Sequence, residues 1–307
     1  AAKHDTMHLF EQFDLHQVAL CDCTPSLLRM FLNTDTVQVE NLALDYLLVG
    51  GEMLQLELVR SFYALNSHTR LINIYGPTEC CVDVTAYELH PEQLPDNINV
   101  PIGNPLLNSQ LYVLDSNDRQ QAMGLSGQIA ISGQSLGRGY LFNQALTAKS
   151  FRYLSNLGCK VYLTGDRGRW LADGTLQLIG RIDRQIKLKG YRIELGEIES
   201  QLMLLPEIKA AAVVLHRSES GDELIAYIAT DKELIIEKLR QKLTSVLPPY
   251  MIPAHFICLE ELPLTSSKKV DFKALKAPDL TQRLNSREAY CAPTTSSEIA
   301  LEKVWCA

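Results

Sequence analysis

Apolar positions change period repeatedly along the chain. "MHLFEQFDLH" spaces them at helical intervals, "QVALCDC" reads as a strand, and "TPSLLRMFL" returns to helical spacing, with Thr24 as N-cap and Pro25 at the first helical position. "ALDYLLVGGE" is a buried strand entering a double-glycine turn. A helix, "LQLELVRSFYAL", and a second buried strand, "LINIY", follow, and Gly76-Pro77 stops that strand. This β-α alternation predicts a sheet covered by helices.

From about residue 98 to 183 the pattern shortens to strands and turns: "SQLYVLD", "GQIAISG", "KVYLTGD" and "RWLADGTLQLIG". Asp173-Gly174 between alternating apolar residues predicts a hairpin. After Asp183 the text reads as a smaller α+β unit. "KAAAVVLH" and "ELIAYIAT" are strands around a polar turn, "KELIIEKLRQKLTSVL" is an amphipathic helix, and "AHFICLEEL" is another strand. The expected divisions are therefore 1–183, 184–276, a charged linker over 277–290, and the start of a further helical domain over 291–307.

The 307 residues allow one large domain or two ordinary ones, and an apolar fraction of 46% supports a sizeable core. The net charge of −7, with no long basic run, argues against a nucleic-acid partner. There is no apolar stretch of about 18 residues to span a membrane. The first residues show no signal peptide and no starting Met, and the text opens inside a helix-like pattern. The eight cysteines lack zinc-ligand spacing and read as reduced, partly buried thiols of a cytoplasmic protein.

The stretch "NIYGPTECC" sets a ring, a hydroxyl and a carboxylate around a rigid turn. Two readings are open from the residues alone. It is a loop after a buried strand, or a nucleotide site with a ring for a base, a hydroxyl for a phosphate and a carboxylate for a hard cation. The Gly-Asp of "YLTGD" is likewise either an Asx-type turn or a carboxylate facing a vicinal diol. The glycines of "SGQSLGRGYLF" fit neither the dinucleotide fingerprint nor a phosphate loop, and that segment reads as a structural turn.

The order of "NIYGPTE", "GQIAISGQSLGRGYL", "YLTGD", "GRIDRQIKLKGYRIELGEIE", "LPPYMIP" and "SKKVD" resembles the adenylation domain of a nonribosomal peptide synthetase, from about residue 8 to 276. The tail from Tyr290 resembles the first helix of a peptidyl carrier domain. The resemblance implies α/β and α+β architecture. One part is a large subdomain with a covered sheet and a small β-barrel-like region; the other is a small mobile α+β subdomain. It implies a two-step reaction. A carboxylate attacks the α-phosphate of ATP to give an acyl-adenylate, and the acyl group then passes to the phosphopantetheine thiol of a carrier domain.

Site residues follow from the same resemblance. Tyr75 would stack on adenine beside Gly76, Thr78 reach phosphate, and Glu79 ligate Mg2+. Gly50 and Gly51 would let backbone approach nucleotide and substrate, and Asp166 would hold the ribose hydroxyls with Arg181 as a second contact. Asp183 would be the hinge, Gly190 would line the pantetheine tunnel, and Lys269 would meet the α-phosphate and the substrate carboxylate. Amino-acid choice would rest on Asp22, Leu48, Gly50, Ile74, Val82 and Asp83, a series similar to the pattern for glutamine or glutamate. The amide of glutamine is physically easier between two acids. A downstream carrier domain and a condensation domain of the same synthetase are the implied partners.

The sequence departs from the family pattern in several places. It contains neither the upstream Gly/Ser/Thr-rich phosphate loop, nor the aspartate for the substrate amino group, nor a carrier serine. Ser267-Lys268 stands where Asn-Gly is usual before the lysine, Gln128 replaces a common Glu, and Leu163 a common basic residue. Two other readings stay open: an acyl-CoA ligase of the same superfamily, and an inactive truncated fragment that binds nucleotide or a neighbouring domain.

Overall fold

The computed structural model describes residues 6–34, 39–94, 99–217, 222–232, 234–265, 270–275 and Thr295. The chain forms two compact units, Ala1–Ile198 and Glu199–Ala307. Lys269, the segment 277–290 and all of 291–307 except Thr295 lie outside the described residues.

The first unit opens with helix α1 (Thr6–His16), strand β1 (Leu20–Cys23) and helix α2 (Pro25–Thr34). The strand is shorter than "QVALCDC" suggests, because the helix ending uses up its first residues. Gln17 turns left-handed at φ 50° and the Val18 N–H donates to Phe13 O at 3.0 Å, closing α1. Thr24 caps α2 as expected, its Oγ1 accepting from the Leu27 N–H at 3.2 Å.

Strand β2 (Tyr46–Val49), helix α3 (Leu56–Tyr63), and strands β3 (Arg70–Tyr75), β4 (Thr85–Leu89) and β5 (Asn104–Pro105) complete a five-stranded sheet in the order β1-β2-β3-β4-β5. β1, β2 and β3 are parallel, with Asp22 opposite Leu48 and Leu48 opposite Ile72. β4 and β5 run antiparallel. The apolar helix faces join a core containing Phe10, Phe31, Leu47 and Phe62, where the Phe10 and Phe31 rings lie 5.1 Å apart. Burial of this kind supplies the main driving force for the layer.

A second sheet has the order β10-β9-β7-β6. It is built from β6 (Ser109–Leu114), β7 (Gly127–Gly133), β9 (Cys159–Trp170) and β10 (Leu176–Arg181). Helix α4 (Gln144–Ser150) leads into β8 (Phe151–Leu154), which pairs with β9. The barrel-like expectation is met only as an open sheet: among the described residues β6 and β10 each have one strand partner and no barrel closes. The Asp173-Gly174 hairpin forms, but its loop closes by Leu171 N–H to Thr175 O at 2.8 Å, so it is longer than two residues. Asp173 Oδ1 holds it by accepting from the Thr175 hydroxyl at 2.7 Å.

The small hairpin β11 (Gln185–Leu188) and β12 (Tyr191–Glu194) belongs to this first unit. Helix α5 (Leu195–Met203) follows and runs past the boundary. The second unit has the strand order β13 (Ala210–His216), β14 (Glu223–Ala229), β15 (His255–Leu259). The first pair is antiparallel and the second parallel, so a crossover is needed. Helix α6 (Ile236–Thr244) lies in that crossover and buries Leu239 and Leu243.

Candidate active site

Parallel β1, β2 and β3 end side by side, and open α/β sheets bind ligands outside the carboxyl ends of such strands. Asp22 lies near the end of β1, Gly50 and Gly51 follow β2, and Ile74 and Tyr75 finish β3. Glycine is required at position 50, where a Cβ would come within 2.6 Å of Ile74 Cγ1.

The turn after Tyr75 folds back on itself. A Cβ at Gly76 would stand 1.9 Å from the Val82 carbonyl oxygen, so only glycine lets the two segments touch. Thr78–Cys80 form a 3-10 turn with Thr78 exposed, and Cys81 and Val82 both lie left-handed at φ 57° and 75°. A β-branched residue in that region is strained, and such strain gathers at ligand clamps.

Asp166 is brought to this turn by an irregularity in β9. Pairing with β10 shifts between Leu178 and Gly180, and pairing with β7 shifts between Gln128 and Ala130. Gly165 turns left-handed at φ 74°, and a Cβ there would meet the Arg181 guanidinium at 2.6 Å. Asp166, only 6% exposed, accepts from the Tyr75 hydroxyl at 2.6 Å and from Arg181 Nη1 at 2.7 Å. Arg181 also grips Asp183 with two further bonds, at 2.6 and 2.7 Å. Burial works against the Arg181 cation, but the Asp183 hydrogen bonds and the Asp166 charge outweigh it and raise its pKa. Burial, with the Asp166 carboxylate beside it, holds the Tyr75 phenol well above its ordinary range.

The β11–β12 hairpin covers the same region. Lys187 Nζ lies 5.9 Å from the centroid of the Tyr75 ring, and the Gly190 N–H donates to Glu52 Oε1 at 2.6 Å. Arg192 Nη1 donates to both carboxylate oxygens of Glu79 at 2.8 Å, and the Tyr140 hydroxyl donates to Oε1 at 2.5 Å. Burial would raise the Glu79 pKa, but the Tyr140 hydrogen bond and the Arg192 charge lower it below its ordinary value.

The six pocket positions fall around these strand ends. Leu48 is half-buried, Ile74 is buried, and Val82 is exposed. Asp22 and Asp83 both have raised pKa values. Burial is the larger cause at each, and the charge of Asp22 adds to it at Asp83, so the two carboxylates share one electrostatic environment. The structure joins Tyr75, Asp166, Arg181 and Asp183 in one hydrogen-bonded cluster, and sets Gly50 against Ile74 and Gly76 against Val82 and Asp83. Sequence reading missed Tyr140, Lys187 and Arg192 as contributors, although "GRGYL" and "KLKGYRIE" were both in view. Their contacts span long stretches of chain that no local pattern encodes.

Glu79 is the carboxylate this turn would offer to a divalent cation. Both oxygens are engaged by a guanidinium and a phenol, and no group of three His, Cys, Asp or Glu able to hold a metal occurs among the described residues. In this arrangement the residues do not fit Mg2+. Cys21, Cys23, Cys80, Cys81, Cys159 and Cys258 are free thiols, and among the described residues no helix is long and apolar enough to cross a membrane.

The mixed α/β fold with its several sheets matches that of adenylate-forming domains. The sequence model for AMP-binding enzyme matches residues 1–141, and that for AMP-binding enzyme C-terminal domain matches 197–269. The chain belongs to the AMP-binding enzyme family. It is 38% identical over 305 residues to bacitracin synthase 1 of Bacillus licheniformis, covering 98% of this chain and 6% of that protein. It thus spans a small part of the curated relatives it matches. Among solved structures, the Vibrio cholerae adenylation domain AlmE, in complex with glycyl-adenosine-5'-phosphate, has TM-score 0.76 and 26% identity, covering 91% of this chain and 52% of that one. A holo NRPS protein containing adenylation and PCP domains has TM-score 0.77 and 28% identity, covering 87% and 46%.

Proposed function

We propose that this chain carries part of an amino-acid-activating site of nonribosomal peptide synthesis. The site forms an aminoacyl-adenylate from ATP and passes the acyl group to a carrier-bound phosphopantetheine thiol. The carrying observation is that Tyr75, at the end of the parallel strand β3, is hydrogen-bonded to Asp166, which is held by Arg181, while Asp22, near the end of β1, and Asp83, in the turn after β3, act on one another. Relatives that are peptide synthetases, and a structural neighbour joining adenylation and PCP domains, support the same reading. Carrier and condensation domains of the same synthetase are the partners that fit it.

In the first step a substrate carboxylate oxygen bonds to the α-phosphorus of ATP as the bond to pyrophosphate breaks. In the second a thiol sulfur bonds to the acyl carbon and AMP leaves. This chain's residues bind and orient the reactants. Asp166 uses one acceptor site on each oxygen for Tyr75 and Arg181, and a carboxylate retains further lone pairs for a ribose diol. Arg181 fixes the orientation of that carboxylate. Tyr75 and Gly76 shape the base site, Thr78 is exposed for phosphate, and Lys269, outside the described residues, supplies a cation for the phosphate and the substrate carboxylate. Asp183 acts as the hinge, and Gly190 faces the thiol arm.

The amino acid is glutamine or glutamate in this reading. Two neighbouring acids favour a side chain that donates hydrogen bonds, which an amide does. Amino-acid-dependent ATP–pyrophosphate exchange on the full-length protein, across a panel of amino acids, tests this. Exchange with glutamine or glutamate supports both reaction and pocket. Exchange only with another amino acid overturns the pocket assignment, and no exchange with any overturns the activity.

A further inference from the structure

Asp22, Leu48, Gly50 and Ile74 share one face of the parallel strands. Asp22 is registered opposite Leu48 and Leu48 opposite Ile72, and positions two apart along a strand point the same way. The other face, with Cys23, Leu47, Val49 and Leu71, belongs to the core. The Gly50 N–H donates to Cys23 O at 3.0 Å at the ends of β1 and β2, and beyond that rung the two chains part. Thr24 leads into α2, and Gly51 turns left-handed at φ 81°. Glu52 spans the gap between them: its Oε2 accepts from the Ser26 hydroxyl at 2.6 Å and from the Ser26 N–H at 3.2 Å. From this we infer that Glu52 is a positioning residue for amino-acid selection, a strut that fixes the end of β1 with Asp22 against the end of β2 with Gly50.

The role rests on Asp22 and Gly50 lining the amino-acid pocket of the proposed site. Every donor in the first turn of α2 is already engaged. Pro25 brings no N–H, Thr24 Oγ1 takes the Leu27 N–H, Thr24 O takes the Leu28 N–H, and Glu52 takes that of Ser26. That helix end therefore offers no cradle to a ligand anion, and Glu52 acts by holding the chain rather than by touching substrate. A hydroxyl donating to a carboxylate at 2.6 Å is a charge-assisted bond, and the N-terminus of α2 favours negative charge beside it. The space over Gly50 has no slack. Ile74 Cγ1 lies 2.6 Å from where a Cβ would stand, so a slide of the β2 end is felt at two pocket positions at once. The other oxygen of Glu52 has a separate partner, the Gly190 N–H, so removing the Ser26 hydroxyl releases the strut alone.

The test is ATP–pyrophosphate exchange on the full-length protein, with glutamine, glutamate and a panel of other amino acids as probes. Ser26→Ala removes the hydroxyl, Ser26→Thr keeps one, and Glu52→Gln removes the charge. Ser26→Ala and Glu52→Gln should each raise KM for the best amino acid roughly tenfold, the worth of one hydrogen bond to a charged group. The preference for that amino acid over the next best should fall by a similar factor. KM for ATP should stay within about twofold, because Tyr75 and Asp166 stand on β3 and β9. Ser26→Thr should behave as the wild type, and the double variant Ser26→Ala with Glu52→Gln should be little worse than either single one. Unchanged KM and preference in Ser26→Ala, even with a lower urea midpoint, overturn the strut and leave the pocket standing. KM values for ATP and amino acid that rise together mark a general deformation and also overturn it. Preference lost in Ser26→Ala for an amino acid other than glutamine or glutamate supports the strut and overturns that substrate assignment. No exchange by the wild type with any amino acid overturns activity and strut together.

Discussion

The Tyr75 hydroxyl donates to Asp166 Oδ2 at 2.6 Å, joining the end of the first sheet to the middle of β9 across 91 positions of sequence. Both residues are buried, so the bond cannot be replaced by water. Tyr75→Phe keeps the ring and removes the donor. Hydrogen bonds to charged groups contribute about 1.5–3 kcal/mol, and the loss should lie in that range. Urea unfolding monitored at the midpoint, with an unchanged slope, checks it; an unshifted midpoint would show the bond to be dispensable.

Asp166 is expected to select ribose over deoxyribose. In the wild type, 2'-deoxy-ATP should support pyrophosphate exchange less well than ATP, because one hydroxyl donor to the carboxylate is missing. Asp166→Asn should lower kcat/KM for ATP by about tenfold or more, the worth of one charge-assisted hydrogen bond. The discrimination between the two nucleotides should also shrink, and this double comparison isolates the contact. Discrimination that survives intact in Asp166→Asn would move the ribose contact to another residue.

Much of the frame was legible in the chain. Apolar patterning located the parallel strands β1, β2 and β3 and the helices beside them, but the antiparallel strands β4 and β5 were not read from it. The strand in "QVALCDC" came out short because Gln17 and Val18 finish a helix, an event decided by backbone geometry rather than hydropathy. The site was legible only as quoted motifs in order. That Tyr140 touches Glu79, or that Arg192 does, depends on a loop after β7 and on a docked hairpin, and neither leaves a trace in local spacing. The openness of the second sheet was equally hidden, since strand edges follow from topology rather than alternation.

The Glu79 contact predicts an acid-sensitive hairpin. Glu79 faces Arg192, Tyr140 and Tyr162, and its pKa in the fold is lowered from 4.5. A carboxylate with a depressed folded pKa contributes stability that is complete above its unfolded value and is lost as pH falls through the folded one. Asp183, lowered from 3.8 beside Arg181, adds in the same sense. Protection of amides 185–194 should therefore stay level from neutral pH down to about 5 and fall steadily below the 4.5 reference. Glu79→Gln should flatten much of that fall. A wild-type profile that is already flat in this window would mean the ion pair does not hold the hairpin.

Glycine at 76 and glycine at 158 make a controlled comparison of two kinds of constraint. Gly158 is left-handed at φ 67°, with nothing within 4 Å of a Cβ built there, so alanine meets only backbone strain. That strain costs about 1–2 kcal/mol. At Gly76 the same methyl would stand 1.9 Å from the Val82 carbonyl oxygen and 2.7 Å from Asp83 Cα, both of them backbone atoms. Nothing there can rotate away, so the strap 81–83 must move as a body, carrying Val82 and Asp83 with it. Gly76→Ala should cost about 3 kcal/mol, the upper end of overpacking, and should weaken amino-acid binding as well. Gly158→Ala should leave binding untouched while losing a smaller amount of stability. Paired denaturation midpoints and amino-acid KM values read both effects, and equal behaviour of the two variants would remove the turn from the substrate pocket.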